Sequence, residues 1–251
     1  MLCPVCRSLG GLGLDMLGVS SDFYRNIKGE NGVDKKKMIL CGKCHAVFGS
    51  DIAFMNLAAD AESQAVVNQD YYVRSAEIDN IDGKVDDIYA IISSFDRFFR
   101  KSETFIELGC GLGLLSRAAA RRFSHAIGLD LEVLTARGVG AFPGNSEFIQ
   151  HNEFVSTRLP QTSIDALVAW HVLEHLPDPH AVIGPFLDKI AKDGIFFGQI
   201  PLLKSEHVIT AHHVFYRVET LIALLNPYGL EPVYFEKDES NGFLSFCFRK
   251  Y

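Results

Sequence analysis

Short apolar runs alternate along most of the chain with stretches in which apolar residues recur every three or four positions. The runs TFIEL (104–108), HAIGLD (125–130), SEFIQH (146–151), IDALVAW (164–170) and GIFFGQI (194–200) have the length and turn-rich borders of buried strands. Residues 112–123, 131–138 and 179–191 between them read as helices, and upstream Ile88, Ile91, Ile92, Phe95, Phe98 and Phe99 follow helical spacing. Such alternation implies right-handed crossovers and a mainly parallel sheet covered by helices on both faces. Residues 204–221 read as a long loop entering a helix at 217–227. LEPVYFE and GFLSFCF, split by the turn-rich KDESNG, then form an antiparallel hairpin that closes the sheet at its sixth and seventh strands.

The first fifty residues break this rhythm. They are poor in apolar residues and carry two Cys-x-x-Cys pairs, Cys3/Cys6 and Cys41/Cys44, on either side of the polar GENGVDKKK. The chain therefore divides into a cysteine module (1–50), a connecting segment (51–80) and a main α/β domain (81–251). Four thiolates at this spacing suit tetrahedral zinc in a structural role, and a module this polar gains from metal-coupled folding. CGKCH also fits covalent haem attachment, but that reading leaves Cys3 and Cys6 unexplained. A thioredoxin-like redox pair would need a surrounding βαβ pattern. Cys110 and Cys247 stand apart and read as small packing residues.

Composition narrows the function classes. Across 251 residues the formal net charge is −7, which argues against a broad nucleic-acid footprint. The N-terminal residues lack the pattern of a secretory signal, and no apolar stretch is long enough to span a bilayer. The expectation is a protein of the reducing cytoplasm, where clustered cysteines serve metals rather than disulfides.

Candidate chemistry begins after the first strand of the main domain. Gly109, Gly111 and Gly113 form G-x-G-x-G, and Leu114 stands where a dinucleotide-binding fingerprint wants its third glycine. Glu107, two residues before the turn, would repel a pyrophosphate but attract an ammonium group. Asp130, at the end of the next strand, is placed to accept hydrogen bonds from ribose hydroxyls. A ribose, an adenine and an ammonium without a phosphate describe S-adenosylmethionine.

On IELGCGLG, IGLD and LVAWHVLEHLPDP the chain resembles the class I S-adenosylmethionine-dependent methyltransferases from about residue 80 onward. The resemblance implies a seven-stranded, Rossmann-like methyltransferase sheet, preceded here by a zinc-ribbon-like module. It assigns the methionine end of the cofactor to Glu107, Gly109, Cys110, Gly111 and Gly113, the ribose to Asp130 with Leu131 beside it, and the adenine edge to Asn152 or Glu153. AWHVLEHLPDP is similar to the small-molecule branch, which includes ubiquinone-biosynthesis and sugar methyltransferases.

Methyl transfer to a weakly acidic hydroxyl calls for orientation and a base. His175, His171, His212 and His213 are the candidates, since a neutral imidazole can accept a proton near neutrality. His175 and His213, with Glu174, are placed in the catalytic role, and His171 in the cofactor pocket. Phe215 and Tyr216 either face the acceptor or anchor the core. The expected activity is O-methylation of a small or saccharide-like acceptor. The rivals are a ribosomal-RNA or tRNA methyltransferase gripping RNA through the zinc module, which CPVC and CGKCHAVF also resemble, and a cofactor-binding interaction protein without turnover.

Overall fold

The computed structural model describes residues 2–9, 12–14, 38–49, 81–138, 142–204, 207 and 212–251. The connecting segment 51–80, the GENGVDKKK stretch and most of 205–211 lie outside the described residues. Three short antiparallel strands come first: β1 (Leu12–Leu14), β2 (Met38–Leu40) and β3 (Val47–Gly49). The main domain opens with α1 (Ile81–Phe95) and continues with β4 (Thr104–Leu108), α2 (Leu114–Ala119), β5 (His125–Asp130), α3 (Leu134–Gly138), β6 (Ser146–Gln150) and α4 (His151–Thr157). Then follow β7 (Ile164–Trp170), α5 (Pro179–Leu187), β8 (Ile190–Pro201), β9 (Val214–Phe215), α6 (Val218–Leu225), β10 (Leu230–Asp238) and β11 (Phe243–Lys250).

Seven of these strands form one sheet in the order β10-β11-β8-β7-β4-β5-β6. Strands β4 to β8 are mutually parallel, and the β10–β11 hairpin joins antiparallel to β8. Alternation along each strand builds two cores. On β4, Phe105 faces a layer containing Val85, Ile92 and Phe95 of α1 and Leu115 of α2, where Phe95 lies 4.5 Å from Phe197 between ring centroids. Ile106 and Leu108 face the other layer, with Phe154 of α4, Phe186 of α5 and Leu224 of α6. Cys110 and Cys247 are buried as small packing residues.

Two boundaries differ from the sequence pattern for local reasons. The helix expected over 112–123 is confined to Leu114–Ala119, because Gly113 is its left-handed cap. The helix expected to run to 191 stops at Leu187, and β8 starts four residues ahead of GIFFGQI, with buried Ile190 pairing Ile164. Asp178 and Pro179 do mark its start: Asp178 caps by accepting from the Ala181 amide at 3.2 Å.

The pattern gave no hint of β9 or its partner. It pairs with β3, so the small sheet runs β1-β2-β3-β9 and its last strand belongs to the main domain. Cys3, Val5, Cys41, Cys44, Ala46 and Phe48 share one core with Leu221, Leu224 and Phe246. The cysteine module is thus packed into the main domain.

Candidate functional site

The order in which strands are added reverses at β4: β5 and β6 lie to one side of it, β7 and β8 to the other. Such a reversal opens a crevice beyond the carboxyl ends of the strands. Two segments enter it, the glycine turn after β4 and residues 171–175 after β7.

Gly109, Gly111 and Gly113 take φ of 66°, 53° and 71°, a region that side-chain-bearing residues rarely adopt. Space is as restrictive as torsion. A Cβ on Gly113 would stand 2.1 Å from the Phe148 ring, and one on Gly109 2.6 Å from Val172. The turn is tied down from beneath, since the Cys110 amide donates to the Leu129 carbonyl at 3.0 Å.

Two carboxylates flank the turn. Glu107 is 5% exposed and accepts from the amide and the hydroxyl of Ser116 at 2.9 and 2.5 Å. Burial pushes its carboxyl up to about 8, with Asp130 adding to the effect and the Ser116 bonds only partly offsetting it. Asp130 accepts from the Gly111 amide at 2.8 Å and from the Leu131 amide at 2.7 Å. A carboxylate offers about four lone-pair sites, a number that suits a diol as well as amides. Leu131 beside it is 39% exposed, an apolar surface at the rim. Asn152 and Glu153 lie exposed at the start of α4, two strands from the turn. The donors and acceptors fit a ligand that brings a cation and a diol to this end of the crevice.

The β7 side holds the imidazoles. His171 leaves the strand with φ 55° and its amide donates to the Gln199 carbonyl at 2.9 Å. That left-handed residue is a strained position of the kind concentrated at functional sites. A 3-10 turn, Leu173–His175, follows and presents Glu174 and His175. Glu174 is 1% exposed, with Oε1 3.5 Å from His171 Nδ1, while its buried Oε2 has no hydrogen-bond partner among the described residues. The rings of His175 and His212 lie 4.8 Å apart between centroids. Burial, reinforced by His175, holds the His212 imidazole down to about 4. Ligand atoms of Glu174, His175 and His212 all fall within 4.8 Å of one another, a set able to hold a divalent ion as well as a proton.

Of the residues read from sequence for chemistry, Glu174, His175 and His171 meet at this end. His213 enters by its backbone: its amide donates to the Glu174 carbonyl at 2.7 Å, and the residue is buried. His212 supplies the ring facing His175. Sequence favours His213 for the catalytic role, but it is the His212 ring that lies against His175, because which of the two adjacent histidines turns that way depends on how β9 is anchored. Phe215 and Tyr216 are both buried, and the Tyr216 hydroxyl donates to the Leu173 carbonyl at 3.2 Å.

The four module cysteines form the second cluster. Sγ of Cys3 lies 3.6 Å from that of Cys44, and Sγ of Cys6 lies 3.6 Å from that of Cys41. Zinc–sulfur bonds of about 2.3 Å in a tetrahedron put thiolates about 3.8 Å apart, so the donor set fits the ion. The two knuckles repeat one design. The residue after each second cysteine, Arg7 or His45, takes φ of 56° or 60° and donates its amide to the carbonyl of Cys3 or Cys41, each at 3.0 Å.

Residues 84–234 match a family described as Methyltransferase domain, more than half of the chain. A ubiquinone biosynthesis O-methyltransferase of Hahella chejuensis (strain KCTC 2396) is 33% identical over 103 residues, covering 38% of this chain and 42% of the relative. The chain spans about two fifths of the length of the first curated relatives it matches. Among solved structures, magnesium protoporphyrin IX methyltransferase from Synechocystis PCC 6803 with bound SAH aligns with a TM-score of 0.51 at 12% identity, over 75% of this chain and 100% of that one. A chain of the complex between the Haloferax volcanii Trm112 methyltransferase activator and a methyltransferase gives a TM-score of 0.53 at 14% identity, over 71% of this chain and 96% of that one. These structural likenesses establish the Rossmann-like fold. No helix among the described residues is long and apolar enough to cross a membrane.

Proposed function

Because the chain belongs to the methyltransferase domain family, we propose that it transfers the methyl group of S-adenosylmethionine to a hydroxyl of a small molecule. The observation that carries this reading is the meeting, at one strand-order reversal, of a Glu107–glycine turn–Asp130 cradle and the buried Glu174 with its imidazoles. S-adenosylmethionine, when bound, supplies an electrophilic methyl on a sulfonium. Glu107 and the amides of 109–113 hold its methionine end, Asp130 its ribose, and Leu131 with Asn152 or Glu153 its adenine.

On the acceptor side, the chemistry asked of this chain is to orient a hydroxyl and take its proton. His175 is the base in this reading. His212, held down to about 4, stays neutral at physiological pH and serves as a hydrogen-bonding neighbour of His175. Glu174, buried beside His171 and grouped with His175 and His212, orients the imidazoles in this reading. The relatives named as ubiquinone biosynthesis O-methyltransferases favour a small hydroxyl-bearing acceptor, and a sugar hydroxyl would make the same chemical demand. Four free thiols gathered at one point favour zinc there and a reducing compartment such as the cytoplasm.

Calorimetry with S-adenosylhomocysteine, paired with transfer of radiolabelled methyl to a panel of hydroxyl-bearing small molecules, tests the proposal. Expected are saturable cofactor binding and transfer to at least one phenol or alcohol. Glu174→Gln should lower transfer by about a hundredfold while leaving cofactor affinity within about twofold. Absence of heat with S-adenosylhomocysteine, with heat on adding NAD, overturns the reading.

A further inference from the structure

One of the places where the cysteine module meets the main domain is the backbone that carries His212, His213 and Glu174. β3 begins three residues beyond Cys44 and pairs antiparallel with β9, Val47 opposite Phe215 and Phe48 opposite Val214. The Gly49 amide donates to the His213 carbonyl at 3.0 Å, and the His213 amide donates in turn to the Glu174 carbonyl at 2.7 Å. A second tie runs from α6, where the buried Thr220 hydroxyl donates to the Cys44 carbonyl at 2.8 Å. The other knuckle is held at α5. His180 Nε2 donates to the Val5 carbonyl at 2.5 Å, and Arg7 grips both oxygens of Asp178, the α5 cap, at 2.6 and 2.8 Å.

These ties differ from an ordinary domain contact in what they complete. Phe215 of β9 shares a small core with Met38 and Val47 of the module, so neither β9 nor the β2–β3 ribbon is finished without the other. A two-residue strand has no stability of its own. What fixes β3 is the second knuckle, in which the Cys41 amide donates to the Ala46 carbonyl at 2.9 Å and the Cys41 and Cys44 thiols turn toward those of the first knuckle. The hydrogen bonds of the glycine turn run elsewhere, to Asp130 and Leu129 of β5, and Glu107 is held by Ser116 of α2.

We infer that the cysteine module is a positioning element for the acceptor end: closing its four thiolates on a zinc ion fixes β3, and β3 through β9 sets His212 and His213 against Glu174 and His175, while the cofactor end assembles without it. The inference rests on reading Glu174, His175 and His212 as the acceptor end. It assigns the metal no part in the reaction. Loss of the ion frees residues 212–216 and the 173–175 turn, and the cradle formed by Glu107, the glycines and Asp130 persists.

Hydrogen exchange of the full chain, with zinc bound and after removal by a chelator under reducing conditions, tests this without cofactor or acceptor. Peptides covering 44–49, 173–176 and 212–216 should exchange about tenfold or more faster once the metal is gone, with those covering 105–116 and 126–131 unchanged within about twofold. Affinity for S-adenosylhomocysteine should also hold within about twofold, and added Zn2+ should restore protection. Unchanged protection at 212–216, or an equal loss throughout the chain, overturns the inference, as does a protein that takes up no zinc. Thr220→Val reads the coupling in the opposite direction in a folded chain: zinc should pass to a chelator several-fold faster, about threefold or more, and Thr220→Ser should restore the slow rate. Equal release rates in the three proteins overturn it too. Failure of the holo-protein to bind S-adenosylhomocysteine would strike the proposed activity alone, since the exchange pattern is read in its absence.

Discussion

On the proposed reading, a cofactor ammonium set against Glu107 would tie binding to a proton. In the ligand-free protein, burial pushes its carboxyl up to about 8, so at pH 7 it is ionised in only about one molecule in ten. A ligand ammonium placed against it favours the carboxylate and pulls the value back toward 4.5, the ordinary figure. Binding at pH 7 should then release about 0.9 proton, and apparent affinity should climb about tenfold per pH unit below 8 before levelling. Calorimetry with S-adenosylhomocysteine at pH 6.5–7, in buffers of different ionisation enthalpy, gives the proton count as the slope of observed against buffer enthalpy. Glu107→Gln should flatten both the slope and the pH dependence. Stability of the free protein carries the same signature. A carboxyl raised in the folded state contributes stability that is fully present below about 4.5 and is lost as pH rises through about 8, so melting temperature should fall across that window in wild type and less in Glu107→Gln. A wild-type slope near zero, or one the Gln variant shares, would refute the placement of the ammonium at Glu107.

Asp130→Ala removes an acceptor from the Gly111 and Leu131 amides as well as from the ribose, and should weaken S-adenosylhomocysteine binding by about 1 to 3 kcal/mol in a titration; unchanged affinity puts the ribose elsewhere. Gly113→Ala drives a Cβ to 2.1 Å from the Phe148 ring at φ 71°, and urea unfolding should show a loss of about 2 to 4 kcal/mol, with Phe148→Leu recovering the steric share but not the torsional one. A loss below about 0.5 kcal/mol would mean the turn is far softer than its contacts imply. His212, lowered to about 4, should show no imidazole titration by NMR between pH 5.5 and 8, and the stability it contributes above about 6.5 should be lost as pH falls through about 4. A midpoint near 6.5 would mean the ring is exposed rather than packed against His175.

Strands of the main sheet were legible because each is an apolar run with hard edges. TFIEL, HAIGLD and IDALVAW begin and end where the structure begins and ends them, and the C-terminal hairpin stands where KDESNG divides it. Sheets of this kind are buried on both sides, so local hydrophobicity and strand identity coincide. α4 was not legible: HNEFVST buries only Phe154 and so has no periodicity to read. The cradle was readable from Glu107, the glycines and Asp130 because they are close in sequence to the strands that position them. The imidazole end was only half readable. Glu174 and His175 follow β7 directly, but His212 owes its place to a two-residue strand whose partner lies near the other end of the sequence, a pairing that no local pattern encodes. Val47 and Phe48 gave no sign that they would extend a sheet with Phe215 and Val214.

The same pairing sets an order of events during synthesis. Both knuckles leave the ribosome ahead of the main domain, but β3 must wait for Val214 and Phe215, roughly ten to thirty seconds of translation at ordinary rates. Throughout that interval one edge of the β2–β3 ribbon is an open row of backbone donors and acceptors with Phe48 beside it, an invitation to wrong partners. Yield in a heterologous host should therefore respond to chaperone supply and to growth temperature more than the stability of the finished molecule would suggest.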